Sequence, residues 1–202
     1  MKKLVFTIAL ALLVLSCVSQ TTIKIGDQTW ATQNLDVVTF RNGDSLMEAK
    51  TEKEWKKAYK ENKPAWCYYD NDPSNAKKFG KMYNVHAIID PRGLAPAGFH
   101  IPSNEEWDKL CETFGGWKKV GTNLKSSSDW DGDNSSGFNG TPSGIRYGNG
   151  PYGAGGSFAM KGEMCYLWSA RRDAFMMKTK KSYLTKVPSS AGCYLSVRCI
   201  AD

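Results

Sequence analysis

The chain has 202 residues, 41% of them apolar and 23% charged, with 27 basic against 20 acidic residues for a formal net charge of +7. That composition is too apolar for a disordered chain and provides for one domain with a buried core. The basic residues alternate with acids instead of forming a stripe, and no recognition motif accompanies them, which argues against a nucleic-acid partner.

Lys2 and Lys3 precede a nearly uninterrupted apolar run from Leu4 to Leu15. So short a run does not span a bilayer, which takes ~20 residues. Basic flank and short apolar run are the layout of a secretory signal, here residues 1–16. Val14-Leu15-Ser16-Cys17 resembles a lipobox, in which the cysteine is diacylated and becomes the new N-terminus. The plainer alternative is an ordinary signal with an incidental cysteine. Each buried CH₂ of an acyl chain contributes about 0.8 kcal/mol, so a lipid on Cys17 would hold the protein to a membrane. The expected organisation is signal 1–16, lipidated cysteine and tether 17–21, and one domain over 22–202. The expected location is the cell envelope, lipid-anchored, on the outer membrane.

Residues 23–25 and 29–31 read as strands about a Gly26-Asp27 turn, and 37–40 as a strand ending at Asn42-Gly43. Thr51 and Glu54 form a capping box that opens a helix, with Trp55, Ala58 and Tyr59 on one face. Residues 64–100 mix Pro, Gly, Asn and aromatics without a clear period. Ser103 and Glu106 form a second capping box. Trp107, Leu110, Cys111 and Phe114 then recur at helical spacing until Gly115-Gly116 stops the helix. The Gly/Ser/Asn/Asp-rich stretch 121–162 carries recurrent aromatics and reads as ordered loops pinned by buried rings. Strands at 164–169, 175–177 and 194–200 close the chain.

The chemistry of sites is sparse. With His86 and His100 the only histidines and no CxxC spacing, a zinc site is poorly supported, and nothing implies a cofactor. No hydrolase elbow, phosphate loop or carboxylate pair can be argued from spacing. His100, just before a helix cap, reads as a residue that bonds backbone and packs. Asp129, Asp131, Asp133 and Asn134 alternate as oxygen ligands do, but an EF-hand needs Gly at its sixth position and Glu at its twelfth, where Asn134 and Gly140 stand. A loop ion and a polar turn bonded to its own backbone both remain open. Trp117, Trp130, Tyr147 and Tyr152 lie in or beside the long loops, and with Asp131 they suit a sugar or peptide ligand. The competing role for each ring is to fill the core.

A set of ordered stretches resembles the Fibrobacter succinogenes major paralogous domain. They are Ile25-Gly26-Asp27-Gln28-Thr29-Trp30 with Asn34-Leu35, residues 66–72 (WCYYDND), residues 79–84 (FGKMYN), and residues 96–103 (PAGFHIPS) with Glu106-Trp107. Gly137-Phe138, Pro142-Ser143-Gly144-Ile145-Arg146, Trp168-Ser169 and Ser196-Val197-Arg198-Cys199 follow. The family often has Trp where Phe99 stands and Cys where Ala95 stands, and differs around Ser143 and Ile145. The resemblance implies an α+β, C-type-lectin-like fold, shared with formylglycine-generating enzymes: twisted antiparallel strands, two helices and long ordered loops. It implies that Cys199 pairs with the residue that is Ala95 here, so Cys67 becomes the replacement partner. Cys165 and Cys193 would then pair across neighbouring strands, and Cys111 would stay free on a buried helix face. The expected function is a non-catalytic module binding a glycan or envelope protein. A structural or adhesive envelope component, or an oxidase of the formylglycine-generating type, are the alternatives.

Overall fold

The computed structural model describes residues 20–148 and 156–202. In chain order the elements are β1 (Thr22–Ile25), β2 (Gln28–Ala31), β3 (Met47–Glu48), α1 (Glu52–Lys60), β4 (Ala65–Cys67), α2 (Ala76–Phe79), β5 (Met82–Asn84) and α3 (Val85–Ile88). Then follow β6 (Phe99–His100), α4 (Asn104–Thr113), α5 (Val120–Leu124), β7 (Ser143–Arg146), β8 (Phe158–Lys161) and β9 (Met164–Trp168). The last are β10 (Ala174–Lys178), β11 (Leu184–Val187), β12 (Tyr194–Leu195) and β13 (Ile200–Ala201). The class is α+β with mostly antiparallel strands. None of the described helices is long and apolar enough to cross a membrane.

The strands make a four-stranded sheet, β1-β2-β13-β6, and a larger one ordered β11-β10-β9-β7-β12-β5-β4-β3, with β8 added on β7. The small sheet joins the two ends of the domain, since Ile200 pairs with Trp30 on one side and His100 on the other. The expected single strand at 194–200 is therefore two. β12 pairs in the large sheet and β13 in the small one, and residues 196–199 carry the chain between them.

Both long helices start where their sequence demands. Thr51 and Ser103 each accept the N–H of the residue three on, and Glu54 and Glu106 return the bond to the cap. α4 presents Trp107, Leu110 and Cys111 inward. There Trp107 meets Trp30 at 4.9 Å between ring centroids, Phe138 at 6.0 Å and Phe175 at 4.9 Å. Burying such rings is the largest single contribution to a core of this size. On α1, Ala58 is buried and Trp55 packs on Phe158, but Tyr59 is exposed, contrary to its expected place on the apolar face.

Other expectations change too. Residues 37–40 form only a bridge between Thr39 and Ser45, because the chain turns back where the Phe40 N–H donates to the Asp44 carbonyl. Residues 64–100, expected to be irregular, hold β4, β5, β6, α2 and α3. The stretch 121–162 does have a buried ring in Phe138, yet it also contains α5, β7 and β8.

The two expected disulfides are not formed. Cys67, Cys111, Cys165, Cys193 and Cys199 are all free and buried, so Cys111 is one of five such thiols. Cys165 pairs with Gly144 on β7, and β7 lies between β9 and β12. Cys193 directly precedes Tyr194, which pairs with Arg146 on the far side of β7. Two strand spacings at ~4.8 Å each already exceed the ~7 Å reach of a bridge. Cys67 sits in the large sheet among Ala58, Tyr69 and Met82, whereas Cys199 adjoins β2 of the small sheet among Leu35, Ile101 and Val197.

Candidate functional site

The most complete arrangement for ligand chemistry lies where α4 meets the β10–β11 hairpin. Gly115 and Gly116, both at positive φ, turn the chain off the end of α4. The Gly116 N–H donates to the Cys111 carbonyl at 2.8 Å. Trp117 follows and is fixed at two points. Its carbonyl accepts the Leu184 N–H at 2.9 Å, and its indole N–H donates to Asp108 Oδ1 at 3.0 Å. Its ring stacks on Phe175 with centroids 5.4 Å apart and planes at 22°. Phe175 in turn stacks on buried Trp107, so Trp117 is the outer end of an aromatic series that begins in the core.

The half-buried Trp117 ring lines a groove of about 340 Å³ with Asn104, Asp108, Leu184, Thr185 and Lys186. Asn104 Nδ2 donates to Asp173 Oδ2 at 2.6 Å, while its Oδ1 is buried with no hydrogen-bond partner among the described residues. Lys186 Nζ stands 3.8 Å from the same Asp173 oxygen. The groove thus offers an aromatic platform, a carboxylate, a spare amide acceptor, a hydroxyl and an ammonium. That volume is at the small end of ligand sites.

The other expected ligand residues lie elsewhere. Trp130 is half-buried, and its indole N–H donates to Thr179 Oγ1 at 2.7 Å. Asp131 accepts from Lys125 Nζ at 2.7 Å and also from the Lys180 backbone N–H. Lys125 lies under the Trp130 ring, 5.3 Å from its centroid, and its side chain is 1% exposed. Trp130 and Asp131 together therefore clamp the 178–181 turn. Tyr147 lines a separate, more apolar pocket of about 480 Å³ with Tyr166, Val187 and Cys193. Tyr152 and Cys17 lie outside the described residues.

In the acidic loop, Asp129 pairs with Lys78, the Asp133 carboxylate accepts the Ser135 N–H, and Asn134 Oδ1 accepts the Asn139 N–H. These contacts make it a turn held by its own hydrogen bonds and by lysines. Among the described residues no group of three or more His, Cys, Asp or Glu side chains gathers to hold a metal.

His100 differs from its expected backbone role. Its Nδ1 meets Asp202 Oδ1 and its Nε2 meets Glu106 Oε1, both at 2.8 Å. Burial opposes its charged form, but Glu106 and Asp202 more than offset this and raise its pKa above the ordinary value. Desolvation pushes the thiols the other way from reactive cysteines: Cys165 rises to about 11, Cys111 and Cys199 to about 12, and Cys67 further.

Of the expected residues only Trp117 reaches the groove. Asn104, Asp108, Phe175 and Lys186 were not singled out in the sequence. A polar helix face followed by Gly-Gly-Trp was the available signal for Asp108. β11 gave none, because Leu184–Val187 is too short and too mixed to stand out. No curated protein and no solved structure matches the chain. A family model does match, across residues 23–201, and on that match the chain belongs to the Fibrobacter succinogenes major domain family.

Proposed function

We propose that the protein is an exported lipoprotein of the cell envelope, anchored to the outer membrane by a lipid on Cys17. Its domain, of C-type-lectin-like fold, binds a carbohydrate or envelope-protein ligand without catalysis. The observation that carries the binding reading is Trp117, a fixed aromatic platform beside Asp108, Asn104 and Lys186. The apolar C–H face of a sugar ring stacks on such a platform while its hydroxyls meet carboxylate, amide and ammonium groups. An aromatic side chain of a peptide would use the same platform with fewer polar partners, so the groove chemistry favours a glycan.

Buried thiols with raised pKa support the non-catalytic reading, since a cysteine nucleophile needs thiolate character. The α+β class, the family match and the two capped helices support the lectin-like fold. The anchor rests on the basic, apolar and cysteine sequence at residues 2–17. Mass spectrometry of the mature N-terminus tests it: the expected species starts at a diacylated Cys17, and an unmodified terminus further along overturns it. For binding, the full-length chain in detergent is screened on glycan and envelope-protein arrays. Glycan binding that Trp117→Ala abolishes is expected. No ligand on either array would favour a structural component.

A further inference from the structure

A second pocket, of about 310 Å³, lies away from the Trp117 groove, between the segment that follows β2 and α2. Arg198, Asn34, Asn139 and Thr141 line it, with Lys77 and Lys78 from α2.

Arg198 is fully buried on the segment that carries the chain between the two sheets. Its Nε and Nη2 both donate to Asn34 Oδ1, at 3.1 and 2.8 Å. Its Nη1 donates to the carbonyls of Ala31 at 3.1 Å and of Phe138, and Nη2 reaches the Asn139 carbonyl at 3.5 Å. The guanidinium lies 4.5 Å from the Phe138 ring centroid. Each of these acceptors is neutral. The donors are satisfied, but the charge is not, and a buried cation without a counter-ion is costly. Burial accordingly lowers the Arg198 pKa to about 10.

The two carboxylates lining the pocket do not supply the missing charge. Asp36 is held by Lys81 and Asp129 by Lys78. Lys77 is exposed and makes no ion pair among the described residues. Arg198 and Lys77 therefore leave the pocket in positive excess. Thr141 adds a hydroxyl that is buried and has no hydrogen-bond partner among the described residues. Few native buried polar groups are left in that state without a reason.

We propose that this pocket binds a small ligand carrying an oxyanion, with Thr141 and Lys77 as its contacts and Arg198 as the fixed charge beneath it. The volume admits something of monosaccharide size, such as a sugar acid or a phosphorylated sugar. Arg198 contributes its field rather than a hydrogen bond, because its donors are already engaged. The site is independent of the Trp117 groove and stands whether or not that groove takes a glycan.

The test is calorimetric titration of the full-length chain in detergent with glucuronate, inorganic phosphate and glucose, each to about 10 mM so that a Kd of ~1 mM is visible. Glucuronate or phosphate should bind and glucose should not. Which anion binds assigns a carboxylate or a phosphoryl group. Lys77→Glu, on an exposed helix position, and Thr141→Val, close to isosteric, should each weaken binding about tenfold, the worth of one charge-assisted bond. Trp117→Ala should leave it unchanged. The proposal is overturned if neither anion binds, if glucose binds equally, or if both pocket variants bind as the parent does.

Discussion

Asp131→Asn tests whether the acidic loop is held by a buried lysine or by an ion. Lys125 Nζ lies 2.7 Å from Asp131 Oδ1, with the Lys178 and Lys181 carbonyls at 3.3 and 3.0 Å. The substitution keeps the side-chain shape and removes the charge. Lys125, whose side chain is 1% exposed, would then face only neutral acceptors, the amide oxygen and two carbonyls, and the Trp130 ring. Breaking a fully buried pair costs ~3–5 kcal/mol, whereas an exposed pair contributes ~0.2–1 kcal/mol. The Asp131 side chain is 31% exposed, so water reaches one side of the pair. An intermediate cost of ~2 kcal/mol follows. In a domain of this size each kcal/mol moves Tm by ~2–4 °C, so a fall of ~4–8 °C is expected. Burial would raise the Asp131 pKa, but the Lys125 bond and the Lys180 N–H hold it below the ordinary value. The contribution is therefore present above the ordinary carboxylate range and lost as pH falls through the folded pKa, so the two proteins should converge in acid. The assay is thermal unfolding followed by circular dichroism, with and without calcium or chelator, neither of which should shift Tm. A change under ~1 °C on substitution would refute the clamp. A rise of several degrees with calcium, abolished by Asp131→Asn, would assign an ion site instead.

The remaining predictions concern His100, the thiols and one glycine. The raised pKa of His100 gives stability that is fully present below the unfolded value and lost as pH rises through the folded one. Tm should thus fall as pH rises above the ordinary histidine value of about 6.5 and through the raised folded one, and fall less in His100→Gln; parallel profiles would contradict the carboxylate clamp. Cys67, Cys111, Cys165 and Cys199, which are wholly buried, should resist iodoacetamide in the native protein, and all five described thiols should label in denaturant without reductant. A Cys67–Cys199 or Cys165–Cys193 peptide in non-reducing digests would restore a bridge. A Cβ on Gly132 would stand 2.1 Å from the Lys125 carbonyl oxygen, so Gly132→Ala should destabilise by at least ~1–3 kcal/mol. An unchanged Tm would show that the loop yields.

Signals local to a few residues were readable in the sequence. The Thr51 and Ser103 capping boxes, the Gly26 turn and the periodicity of Trp107, Leu110 and Cys111 all depend on contacts within a few positions. Elements defined by distant partners were not. β7 holds Gly144 at positive φ and has no alternating pattern, yet it is central because β8, β9 and β12 all pair with it. Leaving β7 out of account made Cys165 and Cys193 look like neighbours. Tyr194 to Ile200 is one apolar run in sequence, and only the separate pairings of β12 and β13 divide it. The site followed the same rule. Trp117 was visible as an aromatic after Gly-Gly, and the Gly115-Gly116 turn brings it to Asp108, but Lys186 becomes its neighbour only through the packing of β11.

The most direct test of the binding account is a titration of the full-length chain with the strongest array glycan, read by tryptophan fluorescence and by calorimetry. The account predicts saturable binding that Trp117→Ala abolishes, that Trp117→Phe retains in part, and that Asp108→Ala weakens. Trp130→Ala should lower stability through loss of the Thr179 bond while leaving the affinity of the folded fraction unchanged. Full affinity in Trp117→Ala, or its loss in folded Trp130→Ala, would place the ligand elsewhere and contradict the account.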